Sequence, residues 1–201
     1  MLFRVLVVLI VLAGSYGLYE VWRIHSFYAS VHTSSAPYVT KNEDTGTITI
    51  VDFVHYQCAA CRMTSKILVE QAAQDPTLKL VVRPIPFEGE GVERAVKMIL
   101  AAGLQGKFWE FHDAIINYAA PTDEDFFKET AKLYDVDYEK LTKDAESPEI
   151  YKILQENANT GYSLGINTSP TIMIEKTLYP LEGPLTLPDI LRMIRAEKSG
   201  S

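Results

Sequence analysis

Two hundred and one residues, 47% of them hydrophobic and 22% charged, supply enough apolar material for one sizeable core and an appendage. The formal net charge is −7 and the Lys and Arg side chains form no basic stripe, which excludes nucleic acid as a partner. Only two cysteines are present, and the histidines (His25, His32, His55, His112) lack H-x3–5-H spacing, so no metal ion and no cofactor is expected.

After Arg4, Val5 to Tyr19 is an uncharged run of 15 residues. Leu2, Phe3, Val21 and Trp22 extend it toward the roughly 20 residues that a membrane span requires. The same stretch fits a signal peptide with an apolar segment at 5–12 and small residues Ala13 and Ser15 at a cleavage site. Tyr16, Tyr19 and Trp22 sit where an interfacial aromatic belt would lie and favour an uncleaved anchor. Residues 1–23 are therefore expected to be a transmembrane anchor or signal peptide, touching the membrane through 2–22. Ser15 stands where a lipoprotein box would carry cysteine, which argues against lipidation. Residues 24–45 are polar and aperiodic, and read as a linker.

Thr47 to Val54 is β-branched and mostly apolar, a buried strand interrupted by one charge, Asp52. A helical pattern follows from Cys58 to Ala73, with Met63, Ile67, Leu68 and Ala72 at core-facing spacing; Asp75-Pro76 stops it. Leu78 to Arg83 is a second strand, closed by Pro84 and Pro86. Strand, helix and strand at this spacing make a parallel crossover. Only helical patterns come next: 91–104, 107–118, 122–134, 137–144 and 147–162. Thr122, with Asp125 three residues on, and Ser147-Pro148 mark two starts. Strand character returns at Thr171–Ile174 and Leu178-Tyr179, and Pro188–Glu197 is a final amphipathic helix. The chain is thus of α/β class, with units at 46–87 and 166–198 separated by a helical insertion at 88–165.

The two cysteines stand as Cys58-Ala59-Ala60-Cys61 at the start of a helix. The unpaired N–H groups and partial positive charge of a helix N-terminus stabilise a sulfur there as thiolate, the form that attacks disulfides. The competing readings are an inert bridge, which would close too short a loop to constrain the unfolded chain much, and half of a zinc site, which would need further ligands. Cys58, nearer the helix start, is expected to be the exposed nucleophile, and Cys61, one turn in, the buried resolving thiol. Asp52, among apolar neighbours, is expected to be buried with a raised proton affinity, able to shuttle the proton of Cys61. Pro170, in Thr168-Ser169-Pro170-Thr171, opens a strand and suits an extended loop held against a neighbouring site. His55 is expected in an exposed loop, and His112, beside Phe108, Trp109 and Phe111, in the core.

Over roughly residues 36–197 the chain resembles the DsbA-like family of thiol–disulfide oxidoreductases. The resemblance rests on Ile50-Val51-Asp52-Phe53 with Tyr56-Gln57-Cys58-Ala59-Ala60-Cys61, on Phe108 to Ala114, and on Gly165 to Thr171. It implies a thioredoxin fold with an inserted all-helical subdomain, an acidic residue at Asp52, and a cis proline at Pro170 that sets Ser169 beside Cys58 to pair with an extended substrate. The implied activity is introduction of disulfides into newly exported, unfolded cysteine-containing proteins outside the cytoplasm, in a bacterial periplasm or at the cell-envelope exterior. A membrane redox partner would recycle the disulfide. The family usually carries Pro and His or an aromatic between its cysteines. Ala59-Ala60 offers neither, which keeps a reductase or isomerase open within the same chemistry. A glutathione-dependent transferase or isomerase on the same fold is the alternative of another class.

Overall fold

The computed structural model describes residues 2–85, 90–118 and 122–200, leaving aside the side chains of 2–11, 90, 198 and 200. The expected boundary at 87/88 and Pro86 lie outside the described residues. In chain order the elements are α1 (Leu2–Val31), a single 3-10 turn (Pro37–Val39), β1 (Thr40–Lys41), β2 (Ile48–Phe53), α2 (Ala59–Gln74), β3 (Leu78–Val82), α3 (Glu90–Gly103), α4 (Phe108–Ile116), α5 (Glu124–Leu133), α6 (Tyr138–Ala145), α7 (Pro148–Ser163), β4 (Thr171–Ile174), β5 (Thr177–Pro180) and α8 (Leu187–Gly200).

The strands form one mixed sheet in the order β1-β3-β2-β4-β5. β2 and β3 run parallel, as the crossover through α2 requires, while β1, β4 and β5 pair antiparallel to their neighbours. β2 is central and all but Thr49 of its residues are buried, which accounts for its run of Ile and Val. Helices α3 to α7 fill the chain between β3 and β4, and α8 packs on β4. This is the thioredoxin-like arrangement with a helical insert. Ser147 caps α7 by accepting from the Ile150 N–H, with Pro148 in the first turn. Gly165, at φ +68°, closes α7 in the left-handed conformation and turns the chain toward β4.

Three details depart from the sequence reading. Residues 24–45 are not uniformly irregular: α1 continues to Val31, and the 3-10 turn and β1 join the body. Phe27 and Tyr28 pack on the core and Val31 is fully buried, so tertiary contact overrides the polar composition. The cap of α5 is Asp123, which accepts from the Phe126 N–H, rather than Thr122. Met63 is 55% exposed, and α2 instead buries Cys61, Thr64, Ser65, Leu68 and Ala72.

Among the described residues no helix is long and apolar enough to cross a membrane. Much of the expected anchor falls on residues 1–11, outside those whose side chains are described. The C-terminal end of α1 is firmly seated. The buried Arg83 donates from Nε to the Val31 carbonyl at 3.1 Å, from a terminal nitrogen to the Ser30 carbonyl at 2.7 Å, and to the Thr33 carbonyl as well. Cations suit the carbonyl end of a helix. Burial pulls the Arg83 guanidinium down to about 10, which leaves it charged at neutral pH.

Candidate active site

The C-terminal end of β2 and the N-terminus of α2 meet at the cysteines. Cys58 is the N-cap of α2: its backbone is extended (φ −82°, ψ 116°) and its Sγ accepts the Cys61 backbone N–H at 3.2 Å. A side-chain acceptor at this position answers one of the donors that a helix start leaves unpaired. Cys58 is half-buried and Cys61 is 1% exposed, and both thiols are free. Burial first, and then the adjacent Cys58 sulfur, push the Cys61 thiol well above the ordinary cysteine range; the Asp52 charge adds to the rise.

Asp52 lies on the central strand, opposite Val82 on one side and Ile172 on the other, and is 2% exposed. Desolvation raises its carboxyl to about 7, and hydrogen bonding from Ser65 draws it part of the way back. Its Oδ2 is buried and carries no hydrogen bond. A carboxyl balanced near neutrality is suited to both giving and taking a proton.

The pairing of Phe53 with Thr171 brings the start of β4 to the end of the sheet from which Cys58 departs. The Ser169–Pro170 peptide is cis, with Ser169 half-buried and Pro170 buried. The Pro170 carbonyl accepts from the Leu181 N–H at 3.0 Å, and the Thr171 hydroxyl donates to the Thr168 carbonyl at 2.8 Å. His55 is only partly exposed; burial lowers its imidazole, and its carbonyl accepts the Cys58 N–H at 3.0 Å.

The sequence reading placed His112 in the core but missed its partners. The ring is fully buried, with Nδ1 2.9 Å from the Tyr56 hydroxyl and Nε2 3.1 Å from the Ser65 hydroxyl. The signal was available: a histidine inside an aromatic helix segment needs two polar partners once buried. Among the described residues no cluster of His, Cys, Asp and Glu could hold a metal ion.

A CxxC pair at a helix N-terminus, over a buried carboxylate and beside a cis-proline loop on a thioredoxin-like sheet, defines a class of protein: the thiol–disulfide oxidoreductases. Residues 49–184 match the family model of the DSBA-like thioredoxin domain, and the chain belongs to that family. It is a protein dithiol–disulfide oxidoreductase. None of the curated proteins compared with it matches. Solved structures do. A thioredoxin-like oxidoreductase from Silicibacter pomeroyi DSS-3 superposes with a TM-score of 0.77 at 26% identity, covering 86% of this chain and 98% of its own. The catalytic domain of Proteus mirabilis ScsC gives 0.74 at 22%, covering 89% and 97%. The thiol-disulfide exchange protein alpha-DsbA2 from Wolbachia pipientis gives 0.74 at 19%, covering 87% and 92%.

Proposed function

We propose that the chain oxidises dithiols in exported proteins outside the cytoplasm through Cys58 and Cys61. One observation carries the reading: a half-exposed sulfur caps α2 while its partner, one turn on, is buried. A substrate thiolate can reach only the first. Its attack on Cys58 Sγ of the Cys58–Cys61 disulfide forms a mixed disulfide and breaks the internal bond, so Cys61 leaves as a thiolate. Asp52, protonated at that moment, returns a proton to it. A second substrate thiolate then attacks the substrate's own sulfur, closing the substrate disulfide and releasing Cys58 as a thiolate that the Cys61 N–H stabilises. Two electrons pass from substrate to protein, and a membrane redox partner removes them. In the reverse direction Asp52, ionised, takes the Cys61 proton so that Cys61 can resolve the mixed disulfide.

Ser169 and Pro170 hold an extended substrate at the same end of the sheet by strand addition, which tolerates many sequences. Residues 2–22 serve as anchor or export signal; the exposed Leu12, Tyr16, Leu18, Tyr19, Val21 and Trp22 along α1 support this. Such a setting keeps a disulfide donor away from reducing cytosolic thiols.

The Ala59-Ala60 dipeptide favours a second reading, reductase or isomerase, because neither residue adds charge or a donor near Cys58. Incubation of the oxidised protein with a reduced, unfolded two-cysteine substrate separates the two. Net disulfide transfer to the substrate supports the oxidase; failure to transfer, with efficient reduction of a disulfide substrate by the dithiol form, replaces it.

A further inference from the structure

His112, on α4, is buried with a hydroxyl against each of its ring nitrogens. Nδ1 lies 2.9 Å from the Tyr56 hydroxyl, in the loop just before Cys58. Nε2 lies 3.1 Å from the Ser65 hydroxyl, on α2 one turn beyond Cys61. Both partners are themselves buried. Packing fixes the plane of the ring: Phe108 stacks on it at 20° and 5.7 Å, while Trp109 and Tyr56 meet it edge-on at 5.5 and 5.7 Å. Burial, aided by the Lys41 charge, holds the imidazole down at about 3, so it is neutral. Its one donor and one acceptor can be answered by the two hydroxyls in either tautomer. The loop is held through its backbone as well: the Tyr56 carbonyl accepts from the Arg62 guanidinium at 2.7 Å, and the His55 carbonyl accepts the Cys58 N–H at 3.0 Å.

We propose that His112 is a positioning residue that braces the loop and the helix on either side of Cys58-Ala59-Ala60-Cys61, so that the Cys61 N–H stays aimed at Cys58 Sγ once the disulfide has opened. The inference rests on the reading of Cys58 as the nucleophile.

Ala59 and Ala60 bring no polar side chain, and the donor to Cys58 Sγ is a backbone one, the Cys61 N–H at 3.2 Å. A backbone donor is aimed only by holding the backbone. In the oxidised protein the Cys58–Cys61 bond itself ties the turn together. In the dithiol that tie is gone, and the brace joins the two sides of the turn through Tyr56 and Ser65. Losing it therefore costs the reduced form more than the oxidised form. A less stable reduced form makes a weaker oxidant. Because the imidazole comes from α4, the helical insertion shares in setting the redox poise of the cysteine pair.

The test is equilibration with glutathione, in which the protein disulfide and two glutathione thiols exchange for the protein dithiol and one glutathione disulfide. His112→Leu should lower the constant of that reaction about fivefold, which is about 20 mV toward reducing. Tyr56→Phe and Ser65→Ala, each deleting one hydroxyl, should lower it by less. A role confined to stability would weaken both redox forms alike and leave the constant unmoved. Ile115→Val, a buried apolar change on the same helix, should behave in that way. An unmoved constant in folded His112→Leu overturns the proposal. If that variant does not fold, an unmoved constant in Tyr56→Phe does the same. An equal shift in Ile115→Val also overturns it, since general loosening of α4 would then suffice. Cys58→Ala separates the claims. Exchange that persists in that protein refutes the nucleophile reading, whereas an inert Cys58→Ala beside an unmoved His112→Leu refutes the brace alone.

Discussion

Helices α2 and α3 both pack against α4 but bury different chemistries. From α3 the core receives Val96, Met98, Ile99, Leu100, Ala101 and Ala102, a mostly apolar surface held by close packing, while its buried Lys97 is paired with Glu93 and Glu146 and donates to the Tyr151 hydroxyl. From α2 it receives Cys61, Thr64 and Ser65 along with Leu68 and Ala72. Each of those hydroxyls is costly to desolvate unless hydrogen-bonded. Thr64 accepts the Leu185 N–H at 3.2 Å, and Ser65 meets His112. The polar groups that α2 buries lie on the helix that carries the redox pair, whereas the buried face of α3 is mostly hydrocarbon and serves packing.

The sharpest way to break this contrast is at the cysteines. Cys58→Ala should abolish thiol–disulfide exchange, while Cys61→Ala should accumulate covalent mixed disulfides through Cys58, visible on non-reducing gels. Trapping by the Cys58→Ala protein instead would invert the roles. On α3, Ile99→Ala should cost about 2–5 kcal/mol in denaturant unfolding, yet leave the exchange rate of the folded protein unchanged. A lost rate in folded Ile99→Ala would erase the distinction between the helices.

Asp52→Asn tests the polar side through stability. The carboxyl sits near 7 in the folded protein against an ordinary value of 3.8, so folding favours its protonated form. Below about pH 4 both states are protonated and Asp52 costs nothing; the penalty grows as pH rises through 7 and then levels off. Asp52→Asn should therefore stabilise the reduced protein by a few kcal/mol at pH 8 to 9, with the gain vanishing near pH 4. Equal effects at both pH values would contradict the raised carboxyl.

Ala60→His should make the pair more oxidising by about 30 mV or more, from a starting potential between about −120 and −270 mV, as equilibration with glutathione would read. A wild-type value at the oxidising limit would mean that groups outside the dipeptide dominate. The smallest effect belongs to Met63→Ala, on the exposed face of α2, which should stay within about 0.5 kcal/mol in thermal unfolding.

The comparison also explains what could be read from sequence. The order of strands and helices was legible because most elements carry clean periodicity or explicit caps, as Ser147-Pro148 does. Met63 was misjudged because a search for apolar spacing follows hydrophobic side chains. Counting from Cys61 by helical steps gives 64, 65, 68 and 72, the face that the structure buries. The cysteine, Asp52 and proline motifs stood out by residue type. The Tyr56–His112–Ser65 links did not, since they join positions 47 and 56 residues apart and depend on tertiary packing. β1, two residues long, is too short to show any alternation.

The clamp of Arg83 on the last carbonyls of α1, together with the His32 ring on the Glu175 carbonyl at 2.5 Å, gives that helix a socket at one end. A helix of 30 residues is a rod about 45 Å long. Joined by a socket rather than a flexible leash, the end of the rod at Val31 and the domain behave as one body, so the rod holds a fixed bearing relative to the Cys58 face.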